Sequence, residues 1–179
     1  CWVWRPGRDF APEVFGARGD GTTDDTTALQ ACIVASQNAS GGQGVCKLGA
    51  KQYLFTPPLV VNGPAAARIR GVGIYYTTLQ SKPNQSADLI QWGNTAPTAS
   101  QTQFGSIEDL ALTSGTGATG GYAISAIHVA DFTVRDVEIN SYCGIEDEQS
   151  NNSLYDHISG YTNGTGCAAF YAHVTSAAQ

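Results

Sequence analysis

The sequence has no methionine, little charge and no long apolar run, and each shortage excludes something. Only 13% of its residues are Asp, Glu, Lys or Arg, fewer than helix-rich soluble proteins carry on their outer faces, so an all-helical protein is disfavoured. Its 9 Lys and Arg are scattered without a basic cluster and the net charge is -6. A nucleic-acid groove or an anionic membrane surface is therefore not an expected partner. No stretch approaches the roughly 20 apolar residues needed to span a bilayer. The opening Cys1-Trp2-Val3-Trp4-Arg5 lacks the apolar core and small-residue cleavage site of a signal peptide. The missing methionine, and the strand-like Tyr171-Ala172-His173-Val174-Thr175 near the other terminus, point to a processed or partial chain that continues past Gln179.

Glycine is plentiful instead, with 21 residues among many Ser, Thr and Asn, a mixture that favours short strands joined by frequent turns. The 179 residues suffice for one domain with a core. Residues 1–13 are broken by Pro6, Gly7 and Pro12 and read as irregular. After the turn Gly16-Ala17-Arg18-Gly19-Asp20-Gly21 a helix is predicted. Thr23 or Asp24 caps its free N–H groups, and Asp24 and Asp25 place negative charge at the positive end of its dipole. Ala28, Leu29, Cys32, Ile33 and Ser36 recur on one face, and Gly41, Gly42 and Gly44 end the helix near Asn38. Asp20, Asp24 and Asp25 are accordingly assigned to turn and cap, within a unit covering residues 14–44.

From residue 45 the period changes. Val45–Leu48, Tyr53–Phe55, Leu59–Val61 and Ala67–Arg70 are short strand candidates, and Gly71-Val72-Gly73 reads as a turn between strands. Ile107-Glu108-Asp109-Leu110-Ala111-Leu112 matches Val134-Arg135-Asp136-Val137-Glu138-Ile139, with a weaker echo in Leu154-Tyr155-Asp156-His157-Ile158. The three Asp residues of these echoes are 27 and 20 positions apart. Such spacing marks a solenoid whose coils bury their apolar faces only by stacking, with parallel strands about 4.8 Å apart. Asp suits the bend between two strands because it tolerates left-handed backbone. Residues 45–179 are read as coils, incomplete at the C-terminal end.

Two segments carry a family resemblance. Residues 14–30, from Val14-Phe15-Gly16-Ala17-Arg18-Gly19-Asp20-Gly21 through Asp24-Asp25 to Ala28-Leu29-Gln30, resemble the opening motif of the pectate-lyase-3 superfamily. Residues 69–79, with Gly71-Val72-Gly73 and Thr77-Thr78-Leu79, are similar to its second signature. That group includes polygalacturonases, exo-glucanases and phage tailspike depolymerases. The resemblance implies an all-β fold, a right-handed parallel β-helix (a solenoid), with an N-terminal capping α-helix that covers the apolar end of the first coil. It does not fix an activity, since many chemistries share such a scaffold. The Asn-Thr-Asp, Asp-Asp and Gly-His-Gly motifs of polygalacturonases are missing after the helix.

Candidate chemistry is sparse. Glu146-Asp147-Glu148 is the most acidic patch and reads as a solvated loop. Alternation along an extended chain lets only Glu146 and Glu148 share a face, as a pair of sugar-cleaving carboxyls must. His157 is either a packed residue of the third echo or, beside Asp156, a general base. The catalytic candidates are thus Glu146, Glu148, Asp156 and His157. Trp92, Tyr75, Tyr76 and Tyr122 are candidates for stacking on sugar rings, each equally suited to a core or a subunit interface. Neither cofactor nor metal is called for. Cys143 and Cys167 lie about one coil apart, which suits either a disulfide or two packed thiols. Cys32 and Cys46 flank the helix-to-strand connection and form a second possible pair, leaving Cys1 odd.

The expectation that follows is a tailspike-like or virion appendage β-helix, extracellular and homotrimeric. It binds, and in its enzymatic form depolymerises, a host surface polysaccharide alongside other virion proteins. The alternatives are a secreted glycoside hydrolase or polysaccharide lyase of the pectinase-like group, and a non-catalytic structural module.

Overall fold

The computed structural model describes residues 9–39, 44–62, 67–93 and 102–173; Cys1 lies outside them. The described chain is mostly β, every named strand pairing is parallel, and one α-helix is present among the described residues.

Successive coils lay their strands on one another. The first contributes Val45–Lys47, Gln52–Phe55 and Leu59–Val61, and the second Arg68–Arg70, Thr78–Ser81 and Ile90–Gly93. In the third coil the first two strands fuse into one, Ser106–Thr113, followed by Tyr122–Ile127. The fourth repeats this as Thr133–Ser141 and Cys143–Glu148, and the fifth as Leu154–Thr162 and Phe170–His173. A small third ladder joins Thr102–Gln103 to Val129–Ala130 and, through one bridge, to Asn151.

Register aligns like with like. Leu59, Ile90, Ile124, Ile145 and Phe170 form one inward column, and Leu110, Val137 and Ile158 another. Apolar stacking in every column builds one continuous core, each fully buried Leu or Ile contributing about 1.5–3 kcal/mol. An aromatic series crosses it, with ring centroids 4.8 Å apart for Trp92–Phe132, 6.5 Å for Phe132–Tyr155 and 4.9 Å for Tyr155–Phe170.

Before the first coil, Asp9–Phe10 adds to Val45–Lys47 and Asp20–Asp24 to Gln52–Phe55. The helix Thr26–Gln37 then packs on the coil, burying Ala28, Leu29, Cys32, Ile33 and Ser36. The side-chain amide of Gln30 acts as a neighbouring strand would: its Nε2 donates to the Val60 carbonyl at 2.7 Å and its Oε1 accepts from the Val60 N–H at 2.9 Å. The strand edge that faces the helix is thereby satisfied. Cys32 and Cys46 are disulfide-bonded, as are Cys143 and Cys167, with Cα separations of 5.4 Å and 5.1 Å.

Of the two capping candidates, Asp24 holds the helix start and Thr23 does not, and Asp25 departs from its expected role. Thr23 does not cap the helix, because its hydroxyl donates to Asp20 at 2.8 Å. Asp24 accepts the Thr26 N–H at 3.0 Å, so the capping interaction is its own. Asp25 occupies the N-cap position but turns its buried carboxylate away, accepting the N–H groups of Arg18 at 2.8 Å and Gly19 at 2.9 Å. Those two donors sit in a partly buried turn that offers no backbone acceptor, and the carboxylate serves them instead. Asp20 closes a local turn, and the N–H groups of Thr23 and Thr22 hold its carboxyl well below the usual range.

Candidate functional site

Two hollows carry several of the residues singled out in the sequence, one at a corner of the coils and one on a sheet face. In the third, fourth and fifth coils the chain turns the first corner on a single left-handed residue: Asp109 at φ 59°, Asp136 at 52° and His157 at 50°. Register stacks the three, since Glu108 faces Arg135, Leu110 faces Val137, Arg135 faces Asp156 and Val137 faces Ile158. Asp and His tolerate left-handed backbone better than most side chains. The third echo is therefore displaced by one residue from its sequence match. Asp156 is the counterpart of Glu108 and Arg135, and His157 is the bend residue, its side chain 75% exposed rather than packed. The physical reason is core filling: Tyr155 and Ile158 must enter the columns of Val134 and Val137, which puts His157 on the corner.

In the second coil the same corner is a loop of residues 71–77. It is anchored by Gly71 N–H to the Glu108 carbonyl at 2.9 Å and Gly73 N–H to the Asp109 carbonyl at 2.8 Å. Gly71 is required here, because a Cβ would run into the Asp109 carbonyl oxygen. Buried Thr77 braces the loop, its hydroxyl accepting from Val72 N–H at 3.0 Å and donating to the Gly49 carbonyl at 2.8 Å. Tyr75 and Tyr76 stand out from it, 84% and 66% exposed. Between this loop and the bend residues lies the first hollow, of about 630 Å³, lined by Tyr75, Tyr76, Asp109, Asp136, His157 and Ser159 among others. An ion-pair ladder runs along its wall. Arg70 Nε donates to Asp109 at 2.9 Å, and Arg135 reaches Glu108 at 3.2 Å and Asp136 at 3.6 Å. His157 Nδ1 lies 3.6 Å from Asp136 and 3.4 Å from Asp156.

The second hollow, of about 360 Å³, lies on the outer face of the other sheet and is lined by Asn62, Asp88, Gln91, Ser125 and Glu146 among others. Gln91, Ser125, Glu146 and Tyr171 stack in register. Ser125 donates to Glu146 at 3.1 Å, and Asp88 accepts the Tyr122 N–H at 2.8 Å. The Tyr122 phenol is pushed above its ordinary value by burial and then by the nearby charge of Glu146, with Tyr171 and Asp88 contributing. Glu146-Asp147-Glu148 is not a loop but the end of the strand Cys143–Glu148. Ladder pairing with Ser125–Ile127 on one side and Tyr171–His173 on the other extends the strand through charged residues that propensity alone would leave in a turn. Asp147 points inward and accepts from the Tyr155 hydroxyl at 2.7 Å. Burial first, then this carboxylate, push the Tyr155 phenol far up.

The structure thus brings Tyr75, Tyr76 and His157 into one hollow, with Asp156 beside it, and Glu146 into the other, with Tyr122 close enough to feel its charge. Glu148 shares the outward face of Glu146 but does not line that hollow. Trp92 is corrected outright: it is 1% exposed, packed on Phe132 in the core, and unavailable to a sugar. Its register partners Val61 and Ala126 are equally buried, so inward alternation decides its place. Asp88 and Gln91 carry no local motif that marks them in the sequence, and Tyr171 is marked there only as part of a strand. Asp136 and Asp109 were seen there only as bend residues. Among the described residues no group of three or more His, Cys, Asp or Glu is placed to hold a metal ion, and no helix is long and apolar enough to cross a membrane.

No family model matches the chain. It is 49% identical over 53 residues to the capsule-specific Depolymerase 1 of Klebsiella phage KN3-1, a match covering 30% of this chain and 7% of that protein. It is 36% identical over 95 residues to the capsule-specific Depolymerase 1 of Klebsiella phage K5-2, covering 53% of this chain and 10% of the relative. The chain therefore aligns with only a small part of these proteins. Among solved structures it is similar to ORF18 of Geobacillus virus E2, with TM-score 0.61 and 20% identity over 80% of this chain and 31% of that one. It is also similar to the A-module of the mannuronan C-5 epimerase AlgE4 of Azotobacter vinelandii, with TM-score 0.62 and 18% identity over 86% and 51% of the two chains. At such identity these structures share the fold, a stack of parallel β coils; the relatives in sequence are phage depolymerases.

Proposed function

We propose that this chain is a segment of a phage-borne, right-handed parallel β-helix that binds a bacterial surface polysaccharide and, in the whole protein, depolymerises it. In this reading residues 14–44 are the opening cap and residues 45–179 the coils. The observation that carries it is the 49% identity to a phage capsule depolymerase over 53 residues. The handedness rests on the general preference of parallel crossover connections. A rigid side wall with exposed tyrosines and carboxylates suits the task, because polysaccharide recognition needs ring-stacking surfaces next to hydroxyl acceptors.

Two groups of side chains offer the chemistry. Glu146, fixed by Ser125, and Asp88 flank Tyr122, and this set is the better placed to exchange protons with a glycosidic oxygen. Asp156 and His157 provide a second acid–base pair at the first hollow. Glu148 is the weakest of the four catalytic candidates, since it does not line a hollow with the others. Virion location, homotrimeric assembly and contacts with other virion proteins belong to the same proposal.

The test is incubation of the purified chain with a panel of Klebsiella capsular polysaccharides, reading bound glycan, new reducing ends and unsaturated uronates. Bound glycan without cleavage places this segment on the recognition side. New ends that vanish in Glu146→Gln assign it the reaction. Neither binding nor cleavage on any member leaves the structural-module alternative. Cleavage of a plant pectin included as a control, with none of the capsular panel, favours the secreted hydrolase or lyase. Native mass spectrometry of the natural protein reads the trimer directly.

A further inference from the structure

The 71–77 loop is the longest crossing of this corner among the described coils, where the first coil uses residues 48–51. The next three coils pass the same corner on one residue each, so the loop overhangs the bends that follow it. Its backbone is fastened at both ends and braced by Thr77, yet it holds two large rings in solvent. Leaving such rings unburied forgoes the stabilisation that packing would give. Two exposed phenols carried by a braced backbone over a hollow are suited to stacking on the C–H face of a sugar ring.

The opposite wall has a chemistry of its own. Asp109 and Asp136 stand one coil apart, and Ser159 adds a hydroxyl. The two arginines beside the wall are already engaged, Arg70 with Asp109 and Arg135 with Glu108 and Asp136. The wall therefore presents mainly acceptors, which take hydrogen bonds from sugar hydroxyls with charge assistance. A uronate carboxylate would meet like charge there, in a protein of net charge -6.

We propose that the hollow between Tyr75–Tyr76 and the Asp109–Asp136–His157 corner is a saccharide subsite for an uncharged sugar residue. Its two tyrosines stack on the ring, and Asp109 and Asp136 receive the ring hydroxyls. The inference rests on the polysaccharide reading above and adds the location and the substrate class.

The chain is titrated calorimetrically with oligosaccharides cut from neutral and from uronate-bearing Klebsiella capsular polysaccharides. The wild type is expected to bind the neutral set more tightly. The double variant Tyr75→Ala/Tyr76→Ala is expected to weaken that binding about ten-fold or more, with unchanged thermal unfolding because both rings are exposed. Tyr75→Phe/Tyr76→Phe retains affinity, since stacking needs only the ring. Asp136→Asn, which still accommodates the left-handed bend, weakens it several-fold. Wild-type binding that the alanine pair leaves unchanged overturns the subsite and leaves the polysaccharide reading standing. Tighter binding of the uronate set through the same tyrosines overturns the assignment to an uncharged sugar. A wild type that binds no member of either set removes both the subsite and the reading beneath it.

Discussion

The two ends of the described stack are built from the same coil but meet their surroundings differently. At the helix end Leu29 and Ile33 lie against the first coil, Gln30 completes the hydrogen bonds of Val60, and Cys32 is bonded to Cys46. In the last described coil the inward columns are only partly covered. Ile158 is 37% exposed where Val137 above it is 0%, and Phe170 is 48% exposed where Ile145 is 2%. The column position and the apolar character are the same, so the difference lies in the layer beyond. In a solenoid a residue's contribution depends on whether its coil has a neighbour on both sides.

The largest expected effect breaks that comparison directly. Leu110→Ala, in a fully buried column, is expected to cost about 2–5 kcal/mol. Ile158→Ala, in the same column of the last described coil, is expected to cost less than half as much in this 179-residue chain. Denaturant unfolding of the two variants measures both, and equal costs would mean that the far end is packed in solution. Next in size, Gln30→Ala leaves the Val60 N–H and carbonyl without their partners and is expected to cost about 1–3 kcal/mol. Raised amide exchange at Val60 is the accompanying signature, and unchanged protection there would show that water replaces the amide fully.

The smallest effect concerns pH. Asp24 is held at about 2, chiefly by the Lys82 ammonium and the Thr26 hydroxyl, against an ordinary value of 3.8. A carboxyl depressed on folding stabilises the protein above its unfolded value, and that stabilisation is lost as pH falls through the folded one. Wild-type stability should therefore decline relative to Lys82→Met between about pH 4 and pH 2. The gap should be small, since the pair is substantially exposed and salt-screened. Melting curves at low and high salt check it, and a gap that opens instead above pH 5 would reassign the pair.

Local chemistry made much of the fold legible. The helix face from Ala28 to Ser36, the strands around Tyr53 and Leu59 and the bends at Asp109 and Asp136 follow from period, turn residues and tolerance of left-handed backbone. The third repeat was matched one residue out, because a shared Asp looked like a stronger signal than the apolar columns. Tyr155 and Ile158 fix the register only when the preceding coil supplies those columns. The candidate sites were legible in part. Local sequence leaves Tyr75, Tyr76 and Trp92 equally suited to a surface or a core, and the structure exposes the two tyrosines and buries Trp92.

By itself the sequence determined a capped stack of short parallel strands, because periodicity, glycines and helix caps act over a few residues. Tertiary structure alone decided which side chains share a hollow. Tyr75 meets His157, and Asp88 approaches Glu146, across separations of one coil or more. Such meetings depend on the register of the stack, which is set by apolar columns spanning every coil at once.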